Sequence, residues 1–240
     1  MPKKHRLDNA HVGRQALPNL KGGHIPRYSG LTDQVFKRLK GDIMALKIPP
    51  DSRIMVDSLA KDLGVSQTPV REALSMLEAT GLVTKRHFVG YCTAPMFNRV
   101  QYEKLFEVRL LLEPYAARQA AMKMTNDVVS ELRSLVGKME SEAPDSKHKS
   151  YELFADQDTE FHAMIADVSE NQFIAQALSG LNTHLHIFRL GVHGAYATDA
   201  VAEHARIEKA LKEHNADKAE KAMRAHIENS FERLLPFIPN

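Results

Sequence analysis

One segment, Leu59 to Tyr91, constrains the fold more than any other part of the chain; it reads LAKDLGVSQTPVREALSMLEATGLVTKRHFVGY. Leu59, Ala60 and Leu63 share one helical face. Gly64 then stops that helix, because glycine enters the left-handed region at little cost. Val65 fills the corner, and Ser66 is suited to cap the next helix. Pro69 sits in its first turn, where backbone N–H groups have no intrahelical partner. Val70, Ala73, Leu74 and Leu77 form a buried stripe, which turns Gln67, Thr68 and Arg71 outward near the helix N-terminus. After Gly81, the runs Leu82-Val83-Thr84 and Val89-Gly90-Tyr91 predict two short strands with a basic tip of Lys85, Arg86 and His87. Helix, turn, helix and wing together form a shape that sets one helix into the major groove of DNA.

The run LGVS-x-TPVREAL-x-x-LE-x-x-GLV resembles the GntR family of bacterial transcription regulators. That resemblance implies that Ser66, Gln67, Thr68 and Arg71 meet bases and phosphates, with Lys85, Arg86 and His87 following at the wing. The family commonly places arginine directly after the serine, where this chain has Gln67. Arginine favours guanine and glutamine can pair with adenine, so the half-site is expected to differ from the family's usual one.

Charge supports a split into two working halves. Residues 1–95 hold 15 basic and 8 acidic side chains, while residues 96–240 hold 17 basic and 22 acidic ones. Nucleic acid is therefore expected to meet the first half only. The single cysteine, Cys92, rules out an intramolecular disulfide framework and suits a reducing cytoplasm. No apolar run is long enough to span a bilayer, so no membrane partner is expected.

The fold class read from this pattern is mainly α: a winged helix-turn-helix followed by an all-α antiparallel helical bundle. Residues 1–27 form a basic arm without apolar periodicity, residues 28–96 the winged unit and residues 97–240 the bundle. The first helix of the winged unit spans about Leu31 to Ala45, and Arg53 follows the Pro49-Pro50-Asp51 turn within reach of phosphate. Six amphipathic helices are predicted beyond Asn98, with Asn98 and Thr125 as caps and a polar loop over Ser141 to Ser150. The fourth of them runs from about Gln172 to Gly191, and the fifth begins near Asp199.

Within the bundle, four polar residues fall beside apolar stripes. Asp158 and His162 are four apart and project from one helical face. His204 and His226 lie on later helices, flanked by Ile207, Leu211, Met223 and Ile227. Three imidazoles and a carboxylate suit Zn²⁺, Ni²⁺ or Mn²⁺. The same spacing also suits hydrogen-bonded core or surface histidines. DTEFH, then HARI, then His226 resemble the FCD effector-binding domain that defines the FadR-type branch of GntR regulators. That resemblance implies one divalent metal ion per chain, zinc foremost with nickel or manganese as alternatives, held by Asp158, His162, His204 and His226.

Arg109, in FEVRLLLEPYAARQAA, resembles the arginine that holds an effector carboxylate in that branch; an i,i+4 ion pair to Glu113 is the other reading. Asn182, His184, His186 and Arg189 are further candidates for the same effector pocket, and a solvated helix face would account for some of them. The expected protein is a homodimeric repressor on palindromic operator DNA, controlled by a small organic acid bound at the metal. Two alternatives are a regulator that senses the metal itself and, from another class, a metal-dependent hydrolase. No separate carboxylate base with motif support speaks for the hydrolase.

Overall fold

The computed structural model describes residues 29–141, 148–190 and 195–239. The basic arm over 1–27 and most of the polar loop after Ser141 lie outside the described residues. In the amino-terminal unit α1 (Ser29–Met44) packs across α3 (Gln67–Ala79), with α2 (Val56–Leu63) before it. Val35, Leu39 and Ile43 of α1 meet Val70, Ala73, Leu74 and Leu77 of α3 in one apolar core. The stripe read from the sequence is therefore the packed face of α3.

Gly64 ends α2 with φ +66°. A Cβ there would touch nothing, so the backbone conformation and not crowding calls for glycine. Ser66 occupies the N-cap position of α3 in extended conformation, but its side chain accepts no backbone N–H. Its hydroxyl is left at the exposed surface beside Gln67 and Thr68.

Each wing strand begins one residue later and ends two residues later than the apolar pattern indicated: β2 is Val83–Arg86 and β3 is Gly90–Thr93. They pair antiparallel from Val83 against Thr93 to Arg86 against Gly90. A third strand, β1 (Arg53–Ile54), pairs with Cys92 and Tyr91, so β3 is central in the order β1-β3-β2. Two residues are too few to show an alternating pattern, and the sequence reading placed Arg53 only after a turn.

The bundle starts with α4 (Arg99–Lys123), capped by a reciprocal box in which Asn98 and Gln101 satisfy each other's backbone N–H groups. Next come α5 (Asn126–Ser141), α6 (His148–Val168), α7 (Gln172–Leu181), α8 (Thr183–Phe188), α9 (Ala195–Lys212) and α10 (Ala216–Leu234). Helix α4 lies along α10 and α6, and α9 lies against α5 and α10. Where the periodicity predicted one helix from Gln172 to Gly191, the chain breaks at Asn182, which adopts φ +47° and ψ +36°. Asparagine tolerates the left-handed region better than other non-glycine residues, so this break leaves no interruption in the apolar pattern. Among the described residues no helix is long and apolar enough to cross a membrane.

Leu185 of α8 packs on the core of the winged unit and Met44 of α1 on that of the bundle, and two polar contacts join the units further. The buried Arg189 guanidinium donates from Nη2 to the Ala94 carbonyl at 2.6 Å and from Nη1 to that of Pro95 at 3.4 Å. Lys40 of α1 pairs with Asp156 of α6 at 2.5 Å.

Candidate nucleic-acid interface and candidate metal centre

The exposed side of α3 carries Gln67, Thr68 and Arg71 together, with Ser66 just before them. Arg71 Nη2 donates to Gln67 Oε1 at 3.3 Å, so the two side chains form one polar unit on the helix surface. Lys85, Arg86 and His87 are exposed along the wing, where Arg86 also pairs with Asp51. Arg53 is exposed on the edge strand β1. The turn between β2 and β3 adds a residue that the sequence reading passed over. Phe88 is 94% exposed and holds φ +60°. Among the described residues, this large apolar ring in a left-handed turn rests only on the His87 ring, with centroids 3.8 Å apart, and packs into no core. Its only sequence signal was an aromatic residue where a hairpin tip favours glycine or asparagine.

In the bundle, α6, α9 and α10 bring His162, His204 and His226 together. Each offers a ligand atom, and those atoms lie within 4.8 Å of one another. Asp158, one turn before His162, puts Oδ1 3.3 Å from His204 Nε2. Its Oδ2 lies 2.6 Å from His184 Nδ1, so α8 reaches the cluster through a residue proposed only as a pocket wall. All four of the expected ligands are thus in one place, with His184 as a neighbour.

The chemistry of this set fits a divalent ion. Nε2 of His162 and Nε2 of His204 are buried without a hydrogen-bond partner, and Nδ1 of His162 meets only the Glu113 carboxylate, at 2.6 Å and without good alignment. Orphaned buried nitrogens are costly unless something else satisfies them. Burial pushes the His184, His204 and His226 imidazoles below their ordinary value, so these three rings favour the neutral, electron-donating form. Burial also opposes ionisation of Asp158, but the His184, His162 and His204 imidazoles outweigh it and hold the carboxyl well below the usual carboxylate range. Three imidazoles and an ionised carboxylate are a hard-to-borderline donor set suited to zinc, nickel or manganese.

Two further carboxylates adjoin the cluster. Glu113 of α4 approaches His162 Nδ1 at 2.6 Å, and Glu203 of α9 meets His226 Nδ1 at 2.8 Å. Burial opposes ionisation of each. For Glu113, Arg109 and His162 reverse that and push the carboxyl well below its ordinary value. For Glu203, hydrogen bonds from Arg233, His226 and Asn229 lower it to about 2. Glu203 was not anticipated: it stands next to His204 in sequence, and only the approach of α9 to α10 gives it a role.

Beside the cluster a cavity of about 380 Å³ runs between the two units of the chain. His162, His184 and Asn182 line it from the bundle; Lys40, Thr80 and Leu82 line it from the winged unit. Asn182, a predicted effector residue, is therefore on the wall, and its Nδ2 lies 3.6 Å from where a Cβ on Gly81 would stand. His184 shares that wall, and the other three predicted effector residues, Arg109, His186 and Arg189, do not line the cavity. Arg109, 1% exposed, is paired with Glu113 at 2.5 Å. His186 stacks on Phe97 with ring centroids 3.7 Å apart, and Arg189 is spent on the Ala94 and Pro95 carbonyls. Resemblance singled out Arg109, and a shared helix singled out His186 and Arg189, but neither says which way a side chain turns.

Residues 31–91 match the bacterial regulatory proteins of the gntR family, and residues 104–229 match the FCD domain. The HTH-type transcriptional regulator LutR of Bacillus subtilis is 30% identical over 207 residues, covering 75% of this chain and 90% of LutR. The probable D-xylose utilization operon transcriptional repressor of Paenarthrobacter nicotinovorans is 28% identical, covering 75% of this chain and 78% of its own. Among solved structures, E. coli McbR/YncC shares the fold with a TM-score of 0.67 at 21% identity, over 86% of this chain and 97% of that one.

Proposed function

The chain belongs to the gntR family of bacterial regulatory proteins, in the branch that carries an FCD domain, and from that premise we propose how its two parts divide the work. It is a DNA-binding transcriptional regulator and not an enzyme. In our reading residues 28–96 bind the operator, and residues 97–240 bind the signal and a second copy of the chain. The protein works in the cytoplasm as a homodimeric repressor. Two-fold symmetry then calls for a palindromic operator with one recognition helix per half-site.

The observation that carries this reading is the two-sided character of α3. One side is wholly buried in the apolar core, and the other offers Gln67, Thr68 and Arg71 to solvent. Ser66 and those three read the major groove; Lys85, Arg86, His87 and Phe88 meet the adjacent minor groove or backbone, and Arg53 meets phosphate. Asp158, His162, His204 and His226 would hold one divalent ion, zinc foremost. When bound, that ion supplies a positive charge on which a small carboxylic acid can be anchored. The acid would lie in the cavity against Asn182, where it touches residues of both units and so binds two arrangements of them unequally. Arg109, His186 and Arg189 are in this reading residues of the fold and not effector contacts.

Selection of genomic fragments by the metal-loaded protein tests the reading. A palindromic class should be enriched, and the Arg71→Ala protein should enrich it less strongly; enrichment without a palindrome overturns the reading. Elemental analysis should find about one divalent ion per chain, lost in the His204→Ala, His226→Ala double variant. If the metal alone shifts operator affinity and no acid does, the protein senses the ion itself.

A further inference from the structure

We propose that Glu113 and Glu203 are positioning residues of the metal centre, each fixing one ligand histidine through Nδ1 while an arginine fixes the carboxylate in turn. The proposal rests on the metal-binding reading above and assigns it four residues outside the ligand set.

The same approach occurs twice, as a hydrogen bond at His226 and as a close ion-pair contact, less well aligned, at His162. Arg109 Nε and Nη2 lie 2.5 and 3.3 Å from the two oxygens of Glu113, whose Oε2 is 2.6 Å from His162 Nδ1. Arg233 Nη1 and Nη2 lie 2.7 and 2.8 Å from the two oxygens of Glu203, whose Oε2 is 2.8 Å from His226 Nδ1. Asn229 Nδ2 donates to Glu203 Oε1 at 2.9 Å and completes that carboxylate's partners.

The two chains are built from different parts. Arg109 and Glu113 are one turn apart on α4 and face His162 of α6, whereas Glu203 comes from α9 and both Arg233 and His226 from α10. No repeated motif produces the second from the first, so the shared feature is the outcome: arginine fork, buried carboxylate, histidine Nδ1.

That outcome has a definite chemical effect. A proton placed on Nδ1 to meet a carboxylate leaves Nε2 as the lone-pair nitrogen, and the carboxylate raises its donor strength. The arginine fork holds the carboxylate plane, so the ring cannot rotate without breaking charge-assisted bonds. Stability alone explains the arrangement poorly, because buried ion pairs are often matched or bettered by apolar side chains of similar volume. His204 serves as an internal contrast. Its Nδ1 faces the Met139 sulfur at 3.4 Å and its ring stacks on Phe161 with centroids 4.3 Å apart, so packing and not a carboxylate holds it.

The test uses the full-length protein stripped of metal and titrated with Zn²⁺ against a chromophoric chelator. Two paired replacements remove each fork without stranding a charge: Arg109→Met with Glu113→Leu, and Arg233→Met with Glu203→Leu. Each should keep the circular dichroism and melting of the metal-free wild type, keep the stoichiometry, and lose Zn²⁺ affinity by about 10- to 100-fold. The visible spectrum of the Co²⁺-loaded form should change as well. Unchanged affinity and spectrum in both pairs would overturn the proposal. A readout without substitution guards against misfolding: ¹⁵N-histidine NMR of the metal-free wild type should find His162 and His226 fixed in the Nδ1–H tautomer. Mixed or Nε2–H tautomers at either would overturn it too. A wild type that takes up no ion in the titration would instead sink the metal reading, and this proposal with it.

Discussion

In the amino-terminal unit no charged side chain is buried among the described residues, and its core is Val, Leu, Ile and Ala around α1 and α3. The bundle buries Arg109, Glu113, Asp158, His162, Arg189, Glu203, His204 and His226. An apolar core is non-directional and tolerant, and it leaves the surface free to carry specificity. A core that holds charge has to satisfy each group by geometry, and the groups it holds are then pre-aimed. The same family architecture therefore puts recognition on the outside of one unit and the proposed signal site on the inside of the other.

The comparison breaks if the two cores are not separate. Leu74→Ala, at a fully buried position of α3, should cost about 2–5 kcal/mol. Denaturation followed by circular dichroism should show the winged unit melting early, with the bundle's helical signal retained; one common shift of the whole transition would mean a single cooperative core.

Acid sharpens the comparison, because buried neutral histidines belong to the bundle side. Burial, with Arg189 nearby, lowers His186 to about 4 from 6.5. The unfolded chain then takes up a proton below pH 6.5 while the folded one stays neutral until about pH 4, so stability falls as pH drops through that window. The loss reaches about 3 kcal/mol for this one group. His186→Gln should remove that share of the acid sensitivity in melts between pH 7 and 4; an unchanged pH dependence would show that His186 is not held neutral.

Arg71→Ala should leave both cores and Zn²⁺ uptake intact and cost about 1–3 kcal/mol in operator binding, by fluorescence anisotropy at fixed salt. A smaller loss would move base reading from Arg71 to Gln67. The smallest effect is expected at the wing tip. Phe88→Gly relieves a positive φ and should raise stability by about 0.5–1 kcal/mol, while operator affinity falls; an unaffected affinity would show that the ring does not meet DNA.

Legibility followed the same division. The winged unit could be read from the sequence because its signals are local: Gly64, Pro69 and the apolar stripe of α3 each act within a turn or two of chain. The histidine cluster was legible through Asp158 and His162 at i and i+4 and through His204 and His226 beside the apolar stripes of later helices, with resemblance joining the four into one set. What escaped was long-range pairing. Glu203 with Arg233 spans α9 and α10, His184 with Asp158 spans α8 and α6, and Arg189 with Ala94 spans 95 positions. None of these follows from periodicity, which gives the face of a helix but not its rotation against its neighbours. The break at Asn182 escaped for a related reason: Gln172 to Leu190 keeps its apolar rhythm through a residue whose backbone leaves the helix.

That break isolates α8 as a rod of six residues, about 9 Å long. His184 at one end touches Asp158 and the cavity, and Arg189 just past the other grips the carbonyls through which the chain leaves the wing. So short a lever has almost no room to bend. The Asp158 carboxylate and the Ala94 carbonyl are thereby tied to the two ends of one short, stiff piece of chain.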